Sequence, residues 1–306
     1  MPVQYEQSII KVLAYFDIFN YPLTLEETYH FLDQPVAMDD VLLTLQQLVD
    51  DNRVFRMGIF YSLQQDPALR TRRINGNQQA GALLATGYKV GGFLYQFPFV
   101  RGIGISGSLS KNFADQNTDI DYFIITHTNR LWIARTLMHL FKKLTFITGH
   151  QHLYCMNYYI DEAALRIDEQ NIFTATELIT LLPVSGNGTI DRFYDQNNWA
   201  GNYFPNQPVK KESRSLGRSG WLKKTVEWLL DNKAGNRLDN WLMRITTRRW
   251  AKKEQLQKTN AHGIRMGLHI GKHFSKPNPE FFQRKVLDSL EEKLNCQQVI
   301  EFKHTN

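Results

Sequence analysis

The chain has 306 residues, 42% hydrophobic and 12% aromatic, enough to bury a substantial core and to form two or three domains. No uncharged apolar run is long enough for a bilayer span, and the first residues, MPVQYEQSIIKVLAYFD, lack the basic start and cleavage site of a secretory signal. Only two cysteines occur, Cys155 and Cys296, so a disulfide framework is disfavoured and a reducing cytoplasm is the expected location.

The net charge of +6 is unevenly spread. Residues 1–66 carry 3 Lys/Arg against 10 Asp/Glu, a net −7. Residues 206–306 carry 21 against 10, a net +11, so a polyanion would be drawn to that end first.

Helical spacing of apolar residues runs through 5–19, and Thr24-Leu25-Glu26-Glu27 has the pattern of a capping box opening a second helix. Asp39 or Asp40 can cap a third, with Val41, Leu42, Leu45 and Leu48 on its apolar stripe. Two short β-like runs flank Met57-Gly58. Three helices and a hairpin make residues 1–66 a winged-helix-like domain. DNA binding by it is disfavoured, because LLTLQQLVDD in the third helix has no Lys or Arg to meet phosphate.

Residues 67–75 read as a basic connector. A helix follows over 78–96, weakened by Gly91-Gly92 and ended by Pro98. Strands are expected over 99–106, 120–126 and 153–160, with a helix over 131–144. The alternation of strand and helix indicates a central α/β domain over 67–205. Beyond it, 206–306 reads as a basic helical region in which Trp221, Trp228, Trp241 and Trp250 interleave with Lys and Arg. The plain expectation is amphipathic helices with Trp packed inward. The sharper alternatives are a surface for an anionic partner such as RNA, or a helix lying on a membrane.

The most informative segment is Gly107-Ser108, ten intervening residues, then Asp119-Ile120-Asp121, with an apolar strand on each side. Acids at i and i+2 of a strand share a face and repel unless a cation lies between them. Mg²⁺ takes such oxygen ligands, often together with substrate phosphates. A Gly-Ser turn offers backbone N–H groups to phosphate oxygens.

This pattern resembles the DNA polymerase β-like nucleotidyltransferase superfamily, in particular its small bacterial members, in which Ser/Thr-Asp-Ile-Asp follows a Gly-Ser turn at this spacing. The resemblance covers residues 78–165. It implies a nucleotidyltransferase-fold mixed sheet with helices, and transfer of a nucleoside monophosphate from an NTP to an acceptor hydroxyl, with release of pyrophosphate. Gly107 and Ser108 would then meet the β- or γ-phosphate, and Asp119 and Asp121 would hold Mg²⁺ or Mn²⁺. The acceptor, whether small molecule, protein or RNA, is not specified by the motif.

The sequence departs from the family pattern in three places. Asn112 stands where small members carry Gly, an exchange the left-handed tolerance of Asn permits. Leu109 and Lys111 replace Arg, leaving Lys111 to meet a phosphate or the solvent. Asn157 occupies the strand where a third acid is expected, and Asp161, of the same parity, is the candidate substitute. Without a third acid, the alternative is an inactive nucleotide-binding or regulatory protein that retains the fold.

Glu177 reads as the acid of a capping box begun by Thr174, and Arg135 as an exposed helix arginine. Gly102 and Gly104 read as strand packing. His150, His152, His269 and His273 lack metal-ligand spacing and read as surface or packing residues.

Overall fold

Helix α1 (Val3–Asp17) leads into β1 (Leu23–Thr24), α2 (Leu25–His30), α3 (Met38–Asp50), β2 (Phe55–Met57) and β3 (Phe60–Ser62). These belong to a computed structural model that describes residues 3–145, 153, 155–186, 188–208, 220–256, 267–277 and 279–304. The capping box forms: Thr24 accepts from the Glu27 N–H, and Glu27 accepts from the Thr24 N–H. Helix α3 instead begins at Met38 with Ala37 as its uncapped N-cap, so Asp39 and Asp40 lie in its first turn rather than capping it. There their charge favours the helix N-terminus. The three short strands form one antiparallel sheet in the order β1-β3-β2. Asp17 ties α1 to it, accepting from Ser62 Oγ at 2.7 Å and from the Leu63 N–H at 2.8 Å.

The expected connector and the helix after it are one 27-residue helix, α4 (Ala68–Leu94). Its buried residues, Leu69, Arg73, Gly76, Ala80, Gly87, Gly91 and Leu94, follow helical spacing. Gly91 is there for closeness: a Cβ on it would stand 2.9 Å from Val184 Cγ1 and 3.2 Å from Tyr122 Cε1. Tyr122 Oη donates to the Gly87 carbonyl at 3.0 Å. The glycines that weaken the helix locally thus let it lie against the sheet.

That sheet is mixed and six-stranded, in the order β7-β4-β5-β6-β9-β8. Its strands are β4 (Val100–Ser106), β5 (Asp121–Thr126), β6 (Cys155–Asp161), β7 (Leu182–Ser185), β8 (Leu268–Ile270) and β9 (Phe274–Pro277). Among the described residues only β5 and β6 pair in parallel, and α6 (Leu131–Thr145) lies between them in the chain. The helices α5 (Gly107–Ser110), α7 (Ile172–Thr180) and α8 (Thr189–Gln196) and a 3-10 turn (Asn198–Asn202) complete this part.

Past residue 206 come α9 (Trp221–Leu230), α10 (Lys233–Gln255) and α11 (Pro279–His304). The region expected to be helical also contributes strands: β9 pairs with β6 through Tyr159–Ser275 and Ile160–Phe274, and β8 pairs with β9. In α10, Asp239 accepts from the Ile133 N–H at 2.9 Å near the start of α6. Burial pushes this carboxyl up to about 6, against the pull of those backbone donors.

One apolar cluster joins Leu13 of α1, Leu45 of α3, Phe123 and Ile125 of β5, Phe193 of α8 and Leu290 of α11. It crosses both expected boundaries, 66/67 and 205/206. A second, on the other sheet face, joins Ile103, Ile105, Tyr122, Ile124 and Tyr159 to Leu94, Trp132 and Met138. The chain is a mixed α/β protein, and no helix among the described residues is long and apolar enough to cross a membrane.

Two glycines of α4 test the close-packing account. Gly91→Val is expected to cost about 1–3 kcal/mol in urea unfolding, because the sheet must move away. Gly81, with nothing within 4 Å of a Cβ, is expected to stabilise by about 0.5–1 kcal/mol when changed to Ala. Equal effects at both sites would contradict this account.

Candidate functional site

Ser106 ends β4 and pairs across the antiparallel ladder with Asp121, the first residue of β5. Cross-strand partners have Cβ atoms about 4.5–5.5 Å apart. The register therefore sets the turn after Ser106 beside the acid. Gly107 has φ +71°. A Cβ on it would stand 2.7 Å from Asp121 Oδ2. Both the left-handed backbone and the lack of room select glycine. Ser108 is exposed on the first turn of α5. Asn112 has φ +56°, the left-handed conformation expected of it. Tyr21 Oη donates to the Lys111 carbonyl, and Phe113 packs edge-on to the Tyr21 ring with centroids 5.9 Å apart. The N-terminal elements thus support this loop from below.

Ile120 is fully buried, with exposed Asp119 before it and half-buried Asp121 after it. Strand β5 begins at Asp121, so Asp119 and Ile120 precede it and the strand alternation expected to align the two acids does not reach Asp119, although its charge acts on Asp121. Burial pushes the Asp121 carboxyl up to about 6 from its ordinary 3.8, a hydrogen bond from the Cys155 thiol opposes this, and the Asp119 and Glu177 carboxylates add to the rise. Lys142 on α6 offsets them only in part. Cys155 stands beside Asp121 in the parallel register with β6. Burial, then the Asp121 charge, pushes its thiol up to about 12, so at neutral pH it remains protonated and donates to the acid.

Glu177 is the third carboxylate. Its helix is capped by Asn171, which accepts from the Thr174 N–H at 3.0 Å, so Glu177 does not belong to a capping box. It faces the turn instead. Glu177 Oε1 accepts from Lys111 Nζ at 2.7 Å, and Oε2 accepts from the Gly107 N–H at 3.4 Å. Lys111 Nζ also donates to the Gly107 carbonyl at 3.1 Å. Two of the three groups expected to meet phosphate, the Gly107 N–H and Lys111, therefore contact a carboxylate.

Asp161 is not brought to this site. It pairs with Thr126, five residues along β5 from Asp121 and thus about 17 Å away. The register slips between Met156 and Tyr158, leaving Asn157 as the extra residue of a bulge. That bulge reverses the period-two count, so Asp161 shares the parity of Tyr159 and Met156 rather than of Cys155. Asp161 is fully buried and structurally engaged. It accepts from the Asn129 N–H at 2.9 Å and the Ala163 N–H at 3.0 Å, and His273 Nδ1 lies 2.9 Å from it.

Arg135 is buried rather than exposed, with its guanidinium 5.6 Å from the Trp132 ring centre and 5.9 Å from that of Tyr159. His269 packs edge-on to Phe274. His150 and His152 lie outside the described residues. Gly102 and Gly104 face Ile190 and Leu181, as strand packing requires.

No group of three or more His, Cys, Asp or Glu among the described residues forms a ready cation cage. Asp119 and Asp121 offer oxygen donors suited to a hard divalent ion that takes its remaining ligands from phosphate and water. Local sequence pattern did not mark Glu177, because its contacts span 66 and 70 residues. Nor did it mark Cys155, which meets Asp121 only through the β5–β6 register.

No family model matches the chain, and no curated protein or solved structure shows significant similarity to it.

Two measurements check these electrostatics. An acid raised to about 6 costs no stability below its ordinary pKa of 3.8, an increasing amount as pH rises from 4 to 6, and a constant amount above. Asp121→Asn is therefore expected to stabilise the metal-free protein at pH 7.5 by roughly 1–3 kcal/mol and to leave it little changed at pH 4. A loss of stability at pH 7.5 would refute the assignment. A thiol reagent at pH 7.5 is expected to label exposed Cys296 quickly and buried Cys155 only on unfolding. Rapid labelling of both would show that the Asp121–Cys155 contact opens.

Proposed function

We propose that the chain is a metal-dependent nucleotidyltransferase acting in the cytoplasm. Its central sheet would have the nucleotidyltransferase fold, and its first 66 residues would be a winged-helix-like support. The observation that carries this reading is the Ser106–Asp121 pairing, which sets a left-handed Gly-Ser turn against a raised carboxylate. A phosphate-holding turn and a cation-seeking acid pair are the two parts that phosphoryl chemistry needs adjacent.

In this reading Asp119 and Asp121 hold Mg²⁺ or Mn²⁺. The ion, when bound, neutralises triphosphate charge and polarises the α-phosphorus towards an acceptor hydroxyl. The chain's own residues do the rest. Ser108 Oγ and the N–H groups of the turn bond phosphate oxygens. Lys111, on release from Glu177, supplies a cation to the same phosphates. The Cys155 thiol orients the Asp121 carboxylate. Glu177 would leave the turn as the triphosphate enters and would then be placed to take the acceptor proton. Asp161 has no part in the chemistry.

A second reading is favoured by one observation. Glu177 already engages Lys111 and the Gly107 N–H, as an inactive nucleotide-binding or regulatory protein could have it do permanently. DNA binding by the N-terminal elements stays disfavoured by their net −7 charge.

Incubating the protein with each labelled NTP, Mg²⁺ or Mn²⁺ and a cell extract, beside Asp119→Ala/Asp121→Ala, separates the readings. The expected outcome is label transfer by the wild type and a loss of about 10²-fold or more in the variant, the scale of removing preorganised charge stabilisation. NTP binding without transfer would establish the second reading. Transfer equal in both proteins, or neither binding nor transfer, would sink the assignment of these acids.

A further inference from the structure

Helix α9 is turned inside out. Its Lys223 is buried, with Nζ donating to the Tyr95 carbonyl at 2.7 Å and to the Val100 carbonyl at 2.8 Å. Burial lowers this amine to about 8, partly countered by Glu227. Glu227 also turns inward, accepting from the Phe99 N–H at 2.6 Å and from Arg101 at 2.8 Å. The large apolar side chains point the other way. Trp221 and Trp228 are 73% and 79% exposed, and Leu222 and Leu229 are 61% and 55% exposed. A helix packed on a domain normally buries its apolar stripe and exposes its charges.

The four side chains sit at i, i+1, i+7 and i+8, which places them on one side of α9 about 10 Å long. Their exposed apolar surface is on the order of 500 Å², at the upper end of what a monomer leaves open. On the next helix, Arg237, Trp241, Arg244 and Arg248 are all exposed at spacings that share one face. Among the described residues none of these three arginines makes an ion pair. The inward charges fix the orientation, since rotating α9 to hide its Trp residues would break the Lys223 and Glu227 contacts.

We propose that α9 and α10 form a docking surface for an anionic lipid bilayer. Exposed Trp and Leu on α9, and exposed Trp241 and Arg on α10, which packs against it, match the chemistry of helices lying in the headgroup boundary. Leu222 and Leu229 cannot stack on bases, which separates the face from a single-strand platform. The surface adjoins Phe99–Arg101, the end of β4 opposite Ser106, about 20 Å from the turn. It stands independently of the nucleotidyltransferase reading.

The test is co-sedimentation of the full chain with phosphatidylcholine vesicles with and without phosphatidylglycerol, alongside tryptophan emission. Wild type is expected to bind the anionic vesicles, with a blue-shifted emission, and the neutral ones weakly. Trp221→Ser/Trp228→Ser is expected to lose binding by about tenfold or more with an unchanged circular dichroism spectrum. Arg244→Gln/Arg248→Gln is expected to lose the preference for anionic lipid and its salt sensitivity. No binding to anionic vesicles, or binding unaltered in both variants, overturns the proposal. So does a dimer or a complex with single-stranded RNA that the Trp variants abolish while vesicles go unbound.

Discussion

The pairing of Ser106 with Asp121 is the constraint on which the site depends. Register in a sheet is all or nothing: a slip of one residue would turn Asp121 to the opposite face and place Tyr122 beside the turn. The slip is opposed from both sides. Ile103, Ile105, Tyr122 and Ile124 fill one core, while Phe123 and Ile125 fill the other. The acid is thus held in a poorly solvated position by apolar neighbours that gain nothing from its charge.

The support extends well outside the sheet. Arg73 in α4 is almost wholly buried, yet it donates to Glu27 at 2.6 Å and to the Pro22 carbonyl at 3.0 Å, and its guanidinium lies 3.7 Å from the Tyr21 ring centre. Tyr21 in turn holds the Lys111 carbonyl. A chain of contacts therefore runs from the acidic N-terminal helices to the loop below the turn. Burying such an ion pair adds little net stability, but losing one partner is costly, so the pair fixes how the two parts meet. These contacts tie the N-terminal elements to the loop below the turn.

Legibility in the sequence tracked the range of the interaction. Contacts within a few residues were readable: the Thr24–Glu27 box, the left-handed Asn112, and the strand–turn–acid interval around Gly107. Errors arose where distant residues intervene. The glycines of α4 read only as a weakening of the helix, because Val184 and Tyr122, against which Gly91 packs, lie far along the chain. Glu177 read as a cap because its true partners are equally remote. A single bulge at Asn157 undid the parity that made Asp161 attractive. Trp221 and Trp228 were expected inside, since hydrophobic periodicity reports an amphipathic helix but not which side faces the protein. Lys223 and Glu227 decide that, by reaching backbone groups at and just before the start of β4.

The β8–β9 hairpin has a consequence for how the chain comes to be folded. It covers the edge of β6, yet its residues follow that strand by more than a hundred positions. During synthesis β6 must wait, with a row of unpaired amides and carbonyls open to any strand of another chain. Helix α11, which packs against α1, arrives later still. Closure of the β6 edge is non-local, a feature that slows folding and leaves a strand edge open to aggregation until the hairpin pairs with it.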